Sequence, residues 1–232
     1  MGYNVQAAAD TETHLIVTHD VINDGHDREQ LSPMAKGAKA ALGRDEMSVV
    51  ADKGYFSGRE ILACHEEGIT TTLPRPETSG NRKKGMYVKA DFAYDADEDI
   101  YRCPAGETLT YRYTTEEKGL MVRRYWASVC QTCPVRARCT TGKERRITRW
   151  EHEPLVDAMH DRISRDPALM GLRRSTIEHP FGTIKAWMGA THFRMRRLRN
   201  VRTEMAFHVL AYNIKRMIAL IGVRGLLAAI PA

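Results

Sequence analysis

Short apolar strands alternate with amphipathic helices along the first third of the chain, and this alternation is the strongest constraint on its fold. Each predicted strand is rich in Val, Ile, Leu or Thr, and each predicted helix carries apolar residues at three- and four-residue spacing. The predicted order is strand Tyr3–Asp10, strand His14–Val21, helix Gln30–Leu42, strand Met47–Asp52, helix Ser57–His65 and strand Ile69–Leu73. This order predicts an α/β sheet. Ser57, with Glu60 three residues later, predicts a capping box at the start of the second helix.

A different pattern interrupts the alternation. Pro74–Lys84 is rich in Pro, Gly and charge, as exposed loops are, and short aromatic or β-branched runs fill Phe92–Trp150. Helical periodicity returns at Pro154 and continues, with a break near Pro167, through Met188. We therefore predict an α/β fold in three parts, which are residues 1–85 as the front of the core, residues 86–152 as an inserted β-rich cysteine module, and residues 153–232 as the helical part of the core.

The last helix is amphipathic and runs from about Val201 to Ile221. We predict that its apolar face points inward, and the residues on that face are Phe207, Leu210, Ala211, Ile214, Met217, Ile218 and Ile221. The longest apolar stretch, Ile214–Ile230, is interrupted by Lys215, Arg216 and Arg224, which argues against a membrane span.

Four of the five cysteines lie in the inserted module. Cys130 and Cys133 form a CxxC pair, Cys139 follows six residues later, and Cys103 lies upstream. Tetrahedral Zn²⁺ accepts four thiolates, so we expect a structural zinc ion here. The alternative is four reduced thiols packed inside a small β module. Cys64, alone on its helix, is predicted to lie in the core. No signal peptide is visible at the start, which indicates a cytoplasmic protein rather than a disulfide framework.

Positive charge is concentrated in one part of the chain, which has a formal net charge of +6. Between Gly171 and Arg202 there are eight Lys or Arg residues and a single acid, Glu178. We predict that the densest run binds nucleic-acid phosphates. Its residues are Arg194, Arg196, Arg197 and Arg199. The alternative is a solvated basic face, and Lys143–Arg149 is a second, weaker candidate.

Two acids stand out by their surroundings. Asp52 ends an apolar strand and precedes a Lys-Gly-Tyr turn, a place where carboxylates often hold metals or move protons, although it also suits a simple turn cap. Glu178 lies on a predicted helix, four residues after Arg174 and seven before Lys185, so the three share a face. A surface Arg174–Glu178 pair is the alternative. A carboxylate among cations is well placed to bind a divalent metal beside phosphates.

These residues carry a family resemblance. Asp52-Lys53-Gly54-Tyr55, followed by Arg174, Glu178 and Lys185, resembles the DDE transposases of bacterial insertion sequences, in the branch with a cysteine cluster between the second and third acids. Gly2–Ala8, Ile177–Lys185 and Leu210–Arg216 are also similar to segments of that branch. The resemblance covers essentially the whole chain.

The resemblance implies a ribonuclease-H-like fold, with a mixed five-stranded sheet flanked by helices. It implies two Asp and one Glu that bind Mg²⁺ (or Mn²⁺) for hydrolysis and strand transfer of DNA. Asp52 matches the second acid and Glu178 the third, and Arg174 and Lys185 match residues that lie along DNA phosphates. We accordingly expect a cytoplasmic, nucleoid-associated protein, a homodimer in its DNA complex, with no membrane contact.

Two departures from the family pattern bear on activity. Gly171 stands where the signature has a tyrosine, and the family's first acid lies on a strand that would precede Gly2. We therefore expect a truncated or inactive remnant in which the first aspartate is missing. Asp10 is an alternative replacement, although it matches a structural position.

Several aromatic residues have an expected structural role and an alternative one. Trp126, Trp150 and Trp187 are expected in the core, with stacking on an extruded base as the alternative. His179 is expected to be a structural histidine.

The alternative functions are a non-catalytic DNA-binding fragment and a zinc-ribbon nucleic-acid adaptor, in which only the cysteine module matters.

Overall fold

A computed structural model gives the fold of the chain and describes residues 2–77 and 79–229. The chain divides into two compact units. The core unit consists of Met1–Arg75 and Asp157–Ala232, and the insert unit consists of Pro76–Val156. The core unit is therefore discontinuous in sequence.

The front of the core unit begins with a β-hairpin. Strand β1 (Asn4–Ala9) pairs antiparallel with β2 (Ile16–Ile22), in a register that sets Asn4 opposite Ile22. The Asp10 carboxylate closes the turn, because its Oδ1 accepts from the amide and the hydroxyl of Thr13 at 2.7 and 2.6 Å. This local use of the side chain favours a structural role for Asp10.

A parallel strand pair and two helices complete the front of the core unit. Helix α1 (Leu31–Leu42) packs against β2 and against α2 (Gly58–Glu66). Strand β3 (Met47–Val50) pairs in parallel with β4 (Ile69–Thr72). The crossover from β3 to β4 through α2 is the connection that parallel strands need.

The four strands of the core unit form two separate two-stranded sheets, not the single mixed five-stranded sheet implied by the resemblance. Within the described residues, β1 pairs only with β2, and β3 pairs only with β4. One edge of β1 and one edge of β3 therefore lack a strand partner there. Helix α4 (Ala168–Gly182) contacts both β1 and β3.

The predicted capping box at α2 is wrong. Ser57 makes no side-chain capping bond in the described structure, and the Glu60 carboxylate instead accepts from the backbone N–H of Ser32 at 2.8 Å. Ser32 lies in the first turn of α1, where backbone N–H groups have no partner within the helix. A tertiary bond between two helices has replaced the local one that the spacing predicts.

The insert unit is a five-stranded antiparallel sheet whose strands pair in chain order. They are β5 (Ala93–Asp95), β6 (Ile100–Arg102), β7 (Thr108–Glu117), β8 (Leu120–Trp126) and β9 (Ile147–Trp150). Tyr101, Leu109 and Tyr125 are among the buried residues at the centre of the unit. Aromatic and β-branched runs of this kind suit a pleated, half-buried surface, which explains why they form strands.

The helical part of the chain follows the predicted periodicity. Helix α3 (Glu153–Arg165) ends before Pro167, α4 follows, and a π-helical turn spans Thr183–Trp187. Helix α5 (Leu198–Ala229) is interrupted at Gly222, whose φ of 72° and ψ of 168° are not helical. A positive φ of this kind favours glycine.

The predicted inward face of α5 is wrong. Phe207, Leu210 and Ile221 are more than half exposed, and the buried residues of α5 are Val201, Met205, Val209 and Tyr212. They pack with Ile16 and Val21 of β2.

Polar side chains explain this choice of face. Asn213 bonds both the N–H and the C=O of Ile16, at 3.0 and 2.9 Å, and Arg216 donates to the carbonyl of Thr13. Backbone groups next to a core need such partners. The helix therefore turns its hydrogen-bonding row toward β2 and leaves its wider apolar stripe on the surface.

By length and composition alone, α5 is the one helix in the described part of the chain that meets the requirements for crossing a membrane. A single helix of this kind is weak evidence, because core helices of globular proteins pass the same test.

Candidate functional site

Asp52 lies at the start of the turn that follows β3. Its Oδ1 accepts from the backbone N–H of Gly54 at 2.6 Å, and its Oδ2 lies 3.5 Å from Nη1 of Arg173. The Asp52 side chain is 46% exposed. A Cβ on Gly54 would lie only 2.9 Å from Asp52 Oδ1, so the glycine permits this close approach. Asp52 thus caps the turn, as the simpler alternative predicts, and also presents an exposed oxygen to a cation.

A polar network holds the Asp52 turn in place. Asn4 and Gln6 each donate a hydrogen bond to Asp27 Oδ1, at 2.7 and 2.8 Å, and the Tyr55 hydroxyl donates to the Gln6 side chain. Burial raises the pKa of Tyr55, and the nearby charges of Asp27 and Asp52 raise it further. The phenol therefore stays protonated, as its donor role requires. The network ties β1 to the turn that carries Asp52.

Sequence reasoning did not identify Arg173 as a site residue. It lies on α4 directly before Arg174, and neighbouring residues on a helix point about 100° apart. Arg173 turns toward Asp52, whereas Arg174 is exposed. The only sequence signal was its place in the basic segment that surrounds Glu178.

Glu178 is exposed on α4 and lines a groove of about 640 Å³ between α4, the π-helical turn and α5. Two cations of α5, Lys215 and Arg216, line the same groove. Arg173 and Glu178 are five residues apart on one helix, which separates their positions by roughly 7.5 Å along its axis. Helix α4 therefore carries both the partner of Asp52 and the second predicted acid.

His179 has the structural role that was predicted. Its Nδ1 lies 2.9 Å from the hydroxyl of Tyr212, which itself donates to the carbonyl of His14 at 2.8 Å. The Tyr212 hydroxyl thus accepts from His179 Nδ1–H. Burial lowers the pKa of His179, and the nearby His14 and Arg216 lower it further. A neutral imidazole therefore connects α4 to α5 at the wall of the groove.

The predicted phosphate-binding residues are all exposed. Arg174 lies one turn before Glu178 on α4, and Lys185 lies in the π-helical turn. The remaining four, Arg194, Arg196, Arg197 and Arg199, occupy the loop before α5 and its first turn. Glu204 anchors this loop, because its carboxylate accepts from the backbone N–H groups of Arg194 and Met195, each at 2.9 Å. The backbone is held while the arginine side chains face solvent.

The described residues do not include a complete metal site. No group of three His, Cys, Asp or Glu side chains in that part of the chain is arranged to hold one ion. Asp52 and Glu178 are hard oxygen donors of the kind that Mg²⁺ and Mn²⁺ prefer, so their chemistry fits such an ion. No third carboxylate among the described residues is grouped with them.

The four cysteines of the insert unit converge on one small cavity. Cys103, Cys130, Cys133 and Cys139 line a space of about 20 Å³. Burial raises the pKa of Cys139, Arg145 opposes this effect, and the other three cysteines raise the pKa further. The donor set therefore fits Zn²⁺ by chemistry. Among the described residues, however, no three of these thiols are arranged to hold one metal ion. Cys64 is fully buried, as predicted.

The three tryptophans differ from one another. Trp150 is buried, as predicted, and Trp126 is half-buried. The prediction for Trp187 is wrong, because it is 81% exposed at the edge of the groove that Glu178 lines. The π-helical turn explains the difference. It directs Ile184 into the core, where Ile184 is 3% exposed, and turns Trp187 outward.

Comparison with known proteins identifies the family. The model of the transposase DDE domain family matches residues 102–218. The matched segment contains the four cysteines of the insert unit, Glu178 and most of α5, whereas Asp52 lies outside it. None of the curated proteins and none of the solved structures matches the chain. Because the matched segment makes up half of the 232 residues, the chain belongs to the transposase DDE domain family.

Proposed function

We propose that the chain is the catalytic core of a DNA transposase from a bacterial insertion sequence. The observation that carries this proposal is the groove beside α4, where Glu178 is exposed next to Lys215 and Arg216. A carboxylate and cations on one exposed surface suit a phosphodiester, because the cations neutralise phosphates and the carboxylate holds a metal ion. In this role a complete catalytic core cleaves DNA strands and joins them to a target.

Asp52 and Glu178 are the two residues that we assign to the metal ions. A bound Mg²⁺ or Mn²⁺ would activate the attacking oxygen and stabilise the leaving one. Arg173 keeps the Asp52 carboxylate in place, and Arg174 and Lys185 neutralise the phosphates along α4. The arginines of the loop before α5 extend this basic surface and supply affinity that depends little on sequence.

We further propose that the chain binds DNA as an inactive remnant, because the described residues bring no third carboxylate to Asp52 and Glu178. Asp10, the alternative third acid, is committed to its turn by two bonds from Thr13. Among the described residues, one edge of β1 and one edge of β3 have no strand partner, and both strands contact α4, so a further strand can pair there. The resemblance places the first aspartate of the family on such a strand.

The test is a comparison of binding and nicking. We expect the purified chain to bind duplex DNA, with affinity that falls steeply as salt rises, and to leave supercoiled plasmid intact in Mg²⁺ or Mn²⁺. Arg196→Gln should reduce the slope of log affinity against log salt by about 0.9, the value for one phosphate contact. Arg44→Gln, which removes an exposed arginine elsewhere in the core unit, is the control.

Two results would contradict parts of this proposal. Metal-dependent nicking that is lost in Glu178→Gln would show that the chain completes its own triad, and the assignment as an inactive remnant would be wrong. Absence of DNA binding at low salt would contradict the whole transposase proposal for this chain.

A zinc-ribbon adaptor is the second candidate function. The convergence of four cysteines on one cavity favours it. It differs from the first candidate in one respect, because DNA binding would then depend on the insert unit and not on the arginine loop. We propose instead that the zinc ion is structural and that DNA contacts the core unit.

The remaining proposals concern assembly and location. We propose a homodimer in the DNA complex, and the exposed apolar stripe of α5, with Phe207, Leu210 and Ile214, supports it as a surface that a second protein surface can cover. A cytoplasmic, nucleoid-associated location without membrane contact agrees with a DNA substrate.

A further inference from the structure

Helix α5 is apolar on two opposite faces, and only one of them is buried. The buried face, which includes Met205, packs with β2. Ile214 follows Met205 by nine residues, or about two and a half turns, so the two side chains point in opposite directions. We call the face around Ile214 the outer row, and its residues are Phe207, Leu210, Ala211, Ile214, Met217, Ile218 and Ile221. An exposed apolar row of this length is typical of a protein-binding surface.

The outer row is symmetric about Ile214. Its other members lie three, four and seven positions before Ile214 and three, four and seven positions after it. In a contact with twofold symmetry both copies use the same surface, so a residue that follows the axis meets the residue that precedes it by the same number of positions in the other copy. The row therefore sets apolar residues against apolar residues when it faces a second copy of itself.

We propose that two copies of this chain pair through their outer rows, with the α5 helices antiparallel and a twofold axis at Ile214. Phe207 then meets Ile221 of the partner subunit, and Ala211 meets Met217 of the partner subunit, which sets a small side chain against a large one as close packing requires. The inference rests on the homodimer proposed above and specifies its surface and its geometry.

Positive charge favours the antiparallel direction. Helix α5 begins at Leu198, next to the exposed arginines of 194–199. Parallel helices would bring the two arginine loops together. Antiparallel helices centred on Ile214 separate Arg199 from its counterpart by roughly 45 Å along the axis, several times the distance over which salt screens exposed charges. The antiparallel pair also opposes the dipoles of the two helices.

The two cations that follow Ile214 do not oppose the pairing. Lys215 Nζ lies 5.3 Å from the ring centroid of Trp187, and Arg216 donates to the carbonyl of Thr13. Both side chains are thus engaged within the core unit. The outer row also shares no residue with the groove that Glu178 lines. Self-association and DNA binding can therefore be measured separately.

The size of the outer row predicts a reversible dimer. Five of its side chains are between 40% and 65% exposed. With about 200 Å² for a large apolar side chain, two copies bury roughly 1,000 Å² in total, which is near the lower limit for specific interfaces. We therefore expect a dimer that forms at micromolar concentration without DNA and dissociates on dilution.

Sedimentation velocity of the chain without DNA tests the pairing. The wild type should change from monomer to dimer as its concentration rises through the micromolar range. Ile214→Glu sets two carboxylates against each other at the axis and should weaken self-association by about tenfold or more. Leu227→Glu changes an exposed apolar residue of α5 beyond Gly222 and should leave it unchanged, which makes it the matched control. Circular dichroism verifies that both variants fold.

Cysteine cross-linking tests the direction of the helices. Ile214→Cys should give a disulfide-linked dimer under mild oxidation, because the two thiols meet at the axis. Ile221→Cys should not, because its two copies lie roughly 21 Å apart along the axis. Phe207→Cys combined with Ile221→Cys in one chain should link again. The wild type, which has five cysteines, gives the background.

The other outcomes overturn either the pairing or the proposed function. A wild type that stays monomeric throughout the micromolar range, or a dimer that Ile214→Glu does not weaken, overturns the pairing. Linkage of Ile221→Cys alone as efficient as that of Ile214→Cys overturns the antiparallel geometry. The transposase proposal stands in these cases if the chain binds DNA at low salt. A dimer that binds no DNA supports the pairing and contradicts the proposed function.

Discussion

At the scale of single residues, the hydrogen bonds of one turn use the carboxylate of Asp10. Its Oδ1 accepts from the hydroxyl and the amide of Thr13, at 2.6 and 2.7 Å, and these bonds hold the pKa of Asp10 below its usual value. A carboxylate in this position stabilises the β1–β2 hairpin. The same bonds make it a poor candidate for a metal ligand.

We expect Asp10→Asn to destabilise the folded chain by about 1 kcal/mol at pH 7, because a neutral amide oxygen accepts the bonds from Thr13 more weakly than a charged carboxylate does. Because the folded pKa of Asp10 lies below the ordinary value of 3.8, its contribution is present above pH 3.8 and is lost as the pH falls through the folded pKa. Urea unfolding at pH 7 and near pH 3 measures the difference. Asp45→Asn, at an exposed acid, is the control, and a difference that does not shrink at low pH would contradict the assignment.

At the scale of elements, the sequence pattern of α5 predicts that a helix forms but does not predict which of its faces is buried. Its apolar spacing correctly predicts a helix, but two rows of the helix are apolar and only one is buried. The choice depends on Asn213 and Arg216, whose bonds to Ile16 and Thr13 exist only once β2 is in place. Periodicity along a chain contains no information about such long-range hydrogen bonds.

We expect side-chain truncation to have a large effect in the buried row of α5 and a small effect in the exposed row. Met205 is 3% exposed, so Met205→Ala should lower the free energy of unfolding by about 3 kcal/mol through the cavity that it leaves. Phe207 is 65% exposed, and Phe207→Ala should change it by less than about 0.5 kcal/mol. Urea titration of the two variants provides the comparison. If Phe207→Ala lowered the free energy of unfolding more than Met205→Ala, the buried face of α5 would be the one that periodicity predicts.

The candidate site was predictable to the extent that its residues are chemically distinctive. Asp52 and Glu178 stand out by their neighbours in sequence, and the structure gives each an exposed carboxylate. The partner of Asp52, Arg173, was not predictable, because an ion pair between the turn after β3 and α4 depends on how the elements pack. The exposure of Trp187 depends on one π-helical turn, which no helical periodicity predicts.

At the scale of the whole molecule, the two units predict separable responses to loss of metal. If the four cysteines hold zinc, Cys133→Ser should reduce the bound zinc and lower the unfolding temperature of the insert unit, because zinc binding contributes to folding. DNA affinity should persist, since the arginine loop belongs to the core unit. Elemental analysis, calorimetry and DNA titration of Cys133→Ser beside Cys64→Ser measure these effects. Loss of DNA binding on chelation would favour the zinc-ribbon adaptor.

The division of the core unit into Met1–Arg75 and Asp157–Ala232 also has a consequence for synthesis on the ribosome. Strands β1 and β2 are translated early, but Val201 and Met205, which pack with residues of β2, are translated more than a hundred residues later. The insert sheet pairs neighbours in chain order, so its contacts are local and form quickly. We therefore expect the nascent chain to fold the insert unit before the core unit is complete. Until α5 has been translated, the edges of β1 and β2 can pair with other chains.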